Sequence, residues 1–216
     1  MAQFGSDNFD DTGGITLSTH NAAWTRHTSY TVNAQIAANR VRQSATGNSV
    51  YWHSGSPASA DYSVSSDLFM KEPQGNQSYV GVAGRINTAA NTFYLARYAG
   101  GATDGWQLAK FVGGSFTSLG VSSQSTADET SYNVKLEMIG TAIKLYKEGS
   151  GAALISVTDS AITAAGKAGI YFSNSSSASD TTGIHIDNFS ADDLGGAGKG
   201  FPFQPPMRGF IHMLVR

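Results

Sequence analysis

The residues able to do acid–base chemistry are few, and their spacing does not suit it. The 216-residue chain has only four glutamates, Glu72, Glu129, Glu137 and Glu148. Glycoside hydrolysis needs two carboxylates flanking the scissile bond. None of the four has an acidic neighbour two or four positions away, where a strand would place it on the same face. Asp128 and Glu129 fall in a polar Ser/Thr-rich turn. His20, His27, His53, His185 and His212 show no metal-ligand spacing, and no nucleophile elbow, phosphate loop or dinucleotide fingerprint is present. A non-enzymatic protein is expected. Recognition chemistry is better served. Arg85, Tyr94, Tyr98 and Gln107 lie on three successive apolar runs rich in Gly and Ala. Rings stack on sugar C–H faces, Arg and Gln bond hydroxyls, and small residues lower the floor of a groove.

The elements that must position these groups are strands. Tyr62, Val64 and Leu68 alternate with Ser63, Ser65 and Asp67, and Tyr132, Val134, Leu136 and Met138 with Asn133, Lys135 and Glu137. Strands are expected near residues 15–19, 30–42, 49–53, 61–71, 78–87, 91–98, 105–112, 115–121, 131–139, 142–148, 153–157, 167–173 and 183–191, separated by Gly-rich turns. Residues 159–165 read as one helical turn. Many short strands without a helical layer predict an all-β, two-sheet antiparallel sandwich. If Val80, Val82, Ile86, Phe93, Leu95, Trp106 and Leu108 face the core, then Gly81, Ala83, Arg85, Tyr94, Ala96, Tyr98, Gln107 and Ala109 face out. That face is either a glycan groove or room for another chain segment. The same parity points Arg97 inward, where it would need a carboxylate partner.

Charged residues make up 14% of the chain and the net charge is −2, so nothing in the composition attracts nucleic acid or an anionic membrane. No cysteine is present, which excludes disulfides and thiolate metal sites. The first residues, Met-Ala-Gln-Phe-Gly-Ser-Asp, have neither a basic nor an apolar leader segment. Synthesis without a signal peptide is expected.

The order of pieces carries a resemblance. Phe-Asp-Asp-Thr-Gly-Gly-Ile-Thr-Leu-Ser-Thr-His opens at residues 9–20, followed by Trp24 and by Asp61-Tyr62-Ser63-Val64. Next come Val80-Gly81-Val82-Ala83-Gly84-Arg85, Phe93-Tyr94-Leu95-Ala96-Arg97-Tyr98 and Trp106-Gln107-Leu108. Val157-Thr158-Asp159-Ser160, Ala165-Gly166-Lys167-Ala168-Gly169-Ile170 and Ile186-Asp187-Asn188-Phe189 complete it. The succession resembles the concanavalin-A-like, laminin-G-like jelly-roll domains of bacterial surface proteins and phage structural proteins. The resemblance spans roughly residues 4–194. It implies adjacent N- and C-terminal strands, which would bring Asp10 toward Asp187; no cofactor is expected, and structural calcium held by these two is the alternative. Asx residues at strand ends also cap turns.

Residues 1–194 are expected to form the jelly roll, 195–200 a Gly-rich linker and 201–216 a docking tail. The tail holds Phe201, Phe203, Phe210, Ile211 and Leu214 with three prolines. Lys199, Arg208 and Arg216 stand beyond the last acid, so the net −2 leaves −5 on the body and +3 at the end. An apolar basic segment cannot make a core alone and must dock. With the phage resemblance, these features lead to a virion structural protein, a capsid decoration or tail-associated component. It would be a homo-oligomer that meets other virion subunits through its tail and binds surface glycans. A cell-surface or secreted carbohydrate-binding module is the alternative.

Overall fold

A computed structural model of the chain describes residues 2–72, 78–100, 105–148, 151–174 and 179–195, with backbone alone at Glu72, Ser78 and Asn174. The linker past Gly195 and the tail residues Phe201, Phe203, Phe210, Ile211 and Leu214 lie outside the described residues.

Alternation builds the strands as read. From Thr130 to Ile139, Tyr132, Val134, Leu136 and Met138 are buried, while Asn133, Lys135 and Glu137 line the half-buried opposite side. One antiparallel sheet has eight strands: β1 (Gln3–Asp7), β3 (Ala34–Ile36), β4 (Val41–Gln43), β6 (Tyr62–Glu72), β11 (Thr130–Ile139), β12 (Ala142–Lys147), β13 (Ile155–Thr158) and β15 (Gly183–Asp193). The other has seven: β2 (Trp24–Arg26), β5 (Gly47–His53), β7 (Ser78–Asn87), β8 (Thr92–Ala99), β9 (Gly105–Val112), β10 (Ser115–Ser122) and β14 (Lys167–Asn174). The strand orders are β13-β12-β11-β6-β15-β4-β3, with β1 on β15, and β10-β9-β8-β7-β14-β5-β2. The two sheets face each other across a core that includes Trp24, Tyr51, Val64, Leu68, Val82, Trp106, Leu136 and Ile170. The expected sandwich is present, with the terminal strands paired.

Three local expectations differ: residues 159–165, read as one helical turn, form no helix. Residues 15–19 are not a strand: Leu17–His20 form a single helical turn, α1, which sinks Leu17 into the core. The run 30–42 breaks between β3 and β4, where Ala38 and Asn39 take positive φ of 51° and 59°. No helix among the described residues is long and apolar enough to cross a membrane.

Two polar anchors hold this frame. The first is Arg85, expected on an exposed groove wall and found only 2% exposed. The β7–β8 register slips between Gly84 and Asn87, and Arg85 sits in that bulge with φ of 50°. The bulge turns its side chain inward. Its guanidinium donates to the carbonyls of Ala60 (3.0 Å), Ile162 (2.7 Å) and Gly140 (2.9 Å), with Asp61 Oδ1 at 3.8 Å. The Arg85 backbone N–H donates to the Tyr62 hydroxyl, which lies 3.0 and 3.1 Å from the carbonyls of Ala165 and Lys167.

The second anchor is Asp7. Its Oδ1 accepts from the Phe9 N–H (2.8 Å) and lies 3.0 Å from His20 Nε2; its Oδ2 accepts from Asn21 (2.9 Å) and Trp24 Nε1 (2.8 Å). His20 Nδ1 lies 2.9 Å from Asp11 Oδ2. A ring with a carboxylate on each nitrogen is held as imidazolium. Burial works to lower the His20 pKa, but the bonds to Asp7 and Asp11 outweigh it and raise it above its ordinary value. Burial likewise opposes the Asp7 carboxylate, and the bonds from His20, Phe9, Trp24 and Asn21 win, lowering its pKa.

Each anchor makes a measurable claim. Arg85→Ala strands three carbonyls and should cost about 3 kcal/mol or more in denaturant unfolding, with Arg85→Lys recovering little because an ammonium lacks the planar fork. An Arg85→Ala change near zero would mean that the anchor is dispensable. For His20 the raised folded pKa makes its contribution complete below about pH 6.5 and lost as pH climbs through the folded value. The stability gap between the protein and His20→Gln should therefore be wide at pH 5.5 and close by pH 9. A gap constant across that range would show that the ring is not charged in the cluster.

Candidate functional site

The outer face of the seven-stranded sheet is read directly from its register. Residues directly opposite one another share a face, so one row runs Val50, Tyr171, Gly81, Arg97, Gln107, Val121. Trp52, Gly169, Ala83, Leu95 and Ala109 form the next row. Gln107 faces out as expected. Tyr94 and Tyr98 do not: they join Ala96 in the core between the sheets, and Phe93, Leu95 and Arg97 take the outer face. The reversal has a simple cause. Every residue from Phe93 to Ala99 is buried, so no polar alternation marks which side is which. Tyr98 meets Trp106 edge-on at 5.3 Å. The Tyr94 hydroxyl donates to Asp159 Oδ1 at 2.6 Å; burial first, then that carboxylate, pushes its pKa up to about 12.

The small residues of this face are not an open floor. Ala83, Leu95 and Phe93 are fully buried in a second apolar cluster with Tyr30, Val50 and Tyr171, flanked by Trp52, Tyr79 and Phe111. Ile86, expected to face the core with Val80 and Val82, joins this cluster because the bulge after Gly84 resets the alternation. The open part lies toward β10, where Phe116 is 44% and Val121 67% exposed. Between the two stands Arg97, 6% exposed. Its Nε and Nη2 donate to Gln107 Oε1 at 2.9 and 2.6 Å, and Gln107 Nε2 donates to the Ser118 hydroxyl at 2.9 Å. The guanidinium carbon lies 4.4 Å from the Tyr79 ring centroid, 4.9 Å from Phe116 and 5.7 Å from Tyr171. Gly81 allows the close approach: a Cβ there would come within 2.8 Å of the Arg97 Cβ. Burial lowers the Arg97 pKa, opposed by the two tyrosines. Arg97, Tyr79 and Phe116 were missed in the sequence, although a charge with no identified inward partner was the available signal that the parity of β8 had to be reversed.

Among the strands, acidic residues are confined to one of the two sheets. Arg26, Arg85, Arg97, Lys110 and Lys167 stand in strands of the seven-stranded sheet, and none of those strands contains Asp or Glu. The carboxylates lie elsewhere. Glu137, on the opposite sheet, accepts from Tyr146 (3.0 Å) and Lys144 (3.4 Å), with Lys135 at 3.5 Å. Burial opposes its ionisation, but those partners keep its pKa below the ordinary value. It is a poor proton donor at neutral pH.

Among the cavities lined by described residues, two bear on the site. The larger, about 640 Å³, is lined by Ser6, Asp7, Asn8, His20, Asn188 and Phe189 among others, and Asp7 and His20 are already spent on each other. Asp10 accepts from Asn8 at 2.6 Å. Burial first, with the charges of Asp67 and Asp10, raises the Asp187 pKa, while Asn188 N–H and Arg40, at 3.9 Å, oppose the rise. Among the described residues no group of three or more His, Asp or Glu is disposed to hold a metal ion. The second cavity, about 460 Å³, lies between Asn87–Thr88 and Ala161–Lys167. Its cationic walls, Arg85 and Lys167, are committed to backbone carbonyls.

No family model matches this chain, and no curated protein matches it in sequence. Solved structures do match it in fold. A carbohydrate-binding module, CBM66, from Bacillus subtilis superposes with a TM-score of 0.62 at 21% identity, over 79% of this chain and 96% of that one. A β-1,3-glucanase from Mycobacterium marinum gives 0.57 at 9% identity, over 88% and 99%. The carbohydrate recognition domain of Emp46p, in a potassium-bound form, gives 0.57 at 9% identity, over 88% and 96%. The shared property is the lectin- and glucanase-like β-sandwich.

Proposed function

We propose that this protein is a non-catalytic carbohydrate-binding module, with its site on the outer face of the seven-stranded sheet. The observation that carries this reading is the Arg97–Gln107–Ser118 hydrogen-bonded row beside the exposed Phe116 ring. A guanidinium, an amide and a hydroxyl supply fixed donors and acceptors for sugar hydroxyls, and the ring offers a platform for a C–H face. The fold neighbours described as carbohydrate-binding support it by analogy. Hydrolysis is not part of the proposal. The strands of this sheet contain no Asp or Glu to flank a scissile bond, and Glu137 is held ionised on the other sheet.

A virion assembly role is the second reading, favoured by residues 201–216, whose Phe201, Phe203, Phe210, Ile211 and Leu214 suit a docking segment. The two readings are compatible, because assembly would use the tail and recognition the sheet. In this reading the tail meets other subunits and the sheet meets a host glycan.

On a glycan array followed by calorimetry, Phe116→Ala should weaken saccharide binding roughly 5- to 30-fold while the melting temperature moves by a few degrees at most. Gln107→Ala should weaken it as much with a larger fall in melting temperature, because it strips buried Arg97 of its amide acceptor. The bound oligosaccharides should be recovered uncut. Binding that ignores both substitutions would place the site elsewhere, and turnover would end the non-catalytic reading. A chain stopped after Gly200 should melt as the full chain does but fail to self-associate or join a virion preparation. A large drop in melting temperature would instead make the tail part of the domain.

A further inference from the structure

We infer that the saccharide taken by this face is an acidic one, whose carboxylate is seated on the Arg97 guanidinium. The inference rests on the saccharide-binding reading and adds the ligand's charge to it.

The buried arginines are unequally paired. Among the described residues, two arginines and no lysine are buried, Arg85 and Arg97. Arg85 has Asp61 at 3.8 Å and three carbonyls. Arg97 has no carboxylate within ion-pair distance among the described residues. Its hydrogen-bond partners are neutral, the Gln107 amide and the Tyr171 hydroxyl, and its other close neighbours are the rings of Tyr79, Phe116 and Tyr171. A buried charge is costly unless paired, and ring faces and neutral oxygens offset only part of that cost.

The surroundings make the deficit regional. The strands of this sheet have no acid, and Lys110, one of its other cations, is matched by Asp159 at 2.5 Å. Arg97 is thus a desolvated cation on an acid-free sheet, fixed in orientation by Gln107 and next to the most open stretch of the face. A planar guanidinium held this way matches a carboxylate, which it can meet with two parallel hydrogen bonds. The Gln107 amide and Ser118 hydroxyl would then take ring hydroxyls, and Phe116 a C–H face. Uronic acids and sialic acids both present this combination of carboxylate, hydroxyls and apolar ring face.

Matched pairs of probes separate the possibilities: oligogalacturonate against its carboxyl-reduced counterpart, and sialyllactose against lactose, titrated calorimetrically into the full chain. At least one acidic member should bind about tenfold or more tighter than its neutral twin, with affinity falling as salt is raised. Gln107→Glu supplies Arg97 with an internal carboxylate of nearly the same shape. It should keep or raise the melting temperature while cutting acidic-saccharide binding at least about tenfold, and Arg97→Gln should abolish the preference. Equal binding of the neutral twins would overturn the acidic assignment and leave the saccharide reading standing. So would an acidic preference that survives both substitutions. If neither the acidic nor the neutral probes bind, and a broad array gives no hit, both readings fall together.

Discussion

The fold depends most on how Arg85 closes one end of the sandwich. Two sheets stacked on an apolar core have no directional bond between them, and their ends are where loop carbonyls must find donors. Arg85 supplies three such donors at once, to the segments holding Ala60, Gly140 and Ile162, while its own N–H is taken by Tyr62 from the opposite sheet. The bulge that turns its side chain inward breaks the β7–β8 register next to the ladder that carries Arg97. Closure of the sandwich and placement of the recognition face are therefore consequences of the same local irregularity.

Which parts of this were readable in the sequence follows from burial. Strands β6 and β11 have one buried face and one half-buried face, so serine, lysine and aspartate alternate with apolar residues and their orientation could be read correctly. Strand β8 is buried on both faces, and its Phe-Tyr-Leu-Ala run holds no information about orientation. Arg97 held that information, as the one residue of the run that an apolar interior would reject. Arg85 could not be placed by parity at all, because a bulge resets the period. Gln107 was placed correctly because Trp106 and Leu108 bracket it with unambiguous core residues.

The second apolar cluster gives the outer face a character that a simple groove would lack. Large rings from the same sheet cover its small residues, which leaves the polar row of Arg97, Gln107 and Ser118 as a seam between a filled half and an exposed half. A seam of this kind is rigid, since each polar group is already bonded to the next and the rings pack around them. Preorganisation matters for a sugar site, where each hydroxyl gained from water returns little free energy and any ordering cost is felt.

The pairing of β1 with β15 also decides how the body would respond to mechanical load. Gln3 lies opposite Asp192, Asp7 lies opposite Phe189, and the Asp193 N–H donates to the Ala2 carbonyl at 2.9 Å. The two strands run antiparallel, so a tension drawn through Ala2 and Leu194 enters at the same end of the ladder. The rungs would then open one after another, as in a zipper, instead of resisting together in shear. A tether held by both of these ends would let β1 peel away at low force while the Arg85 closure and the Arg97 face, borne by other strands, stayed intact.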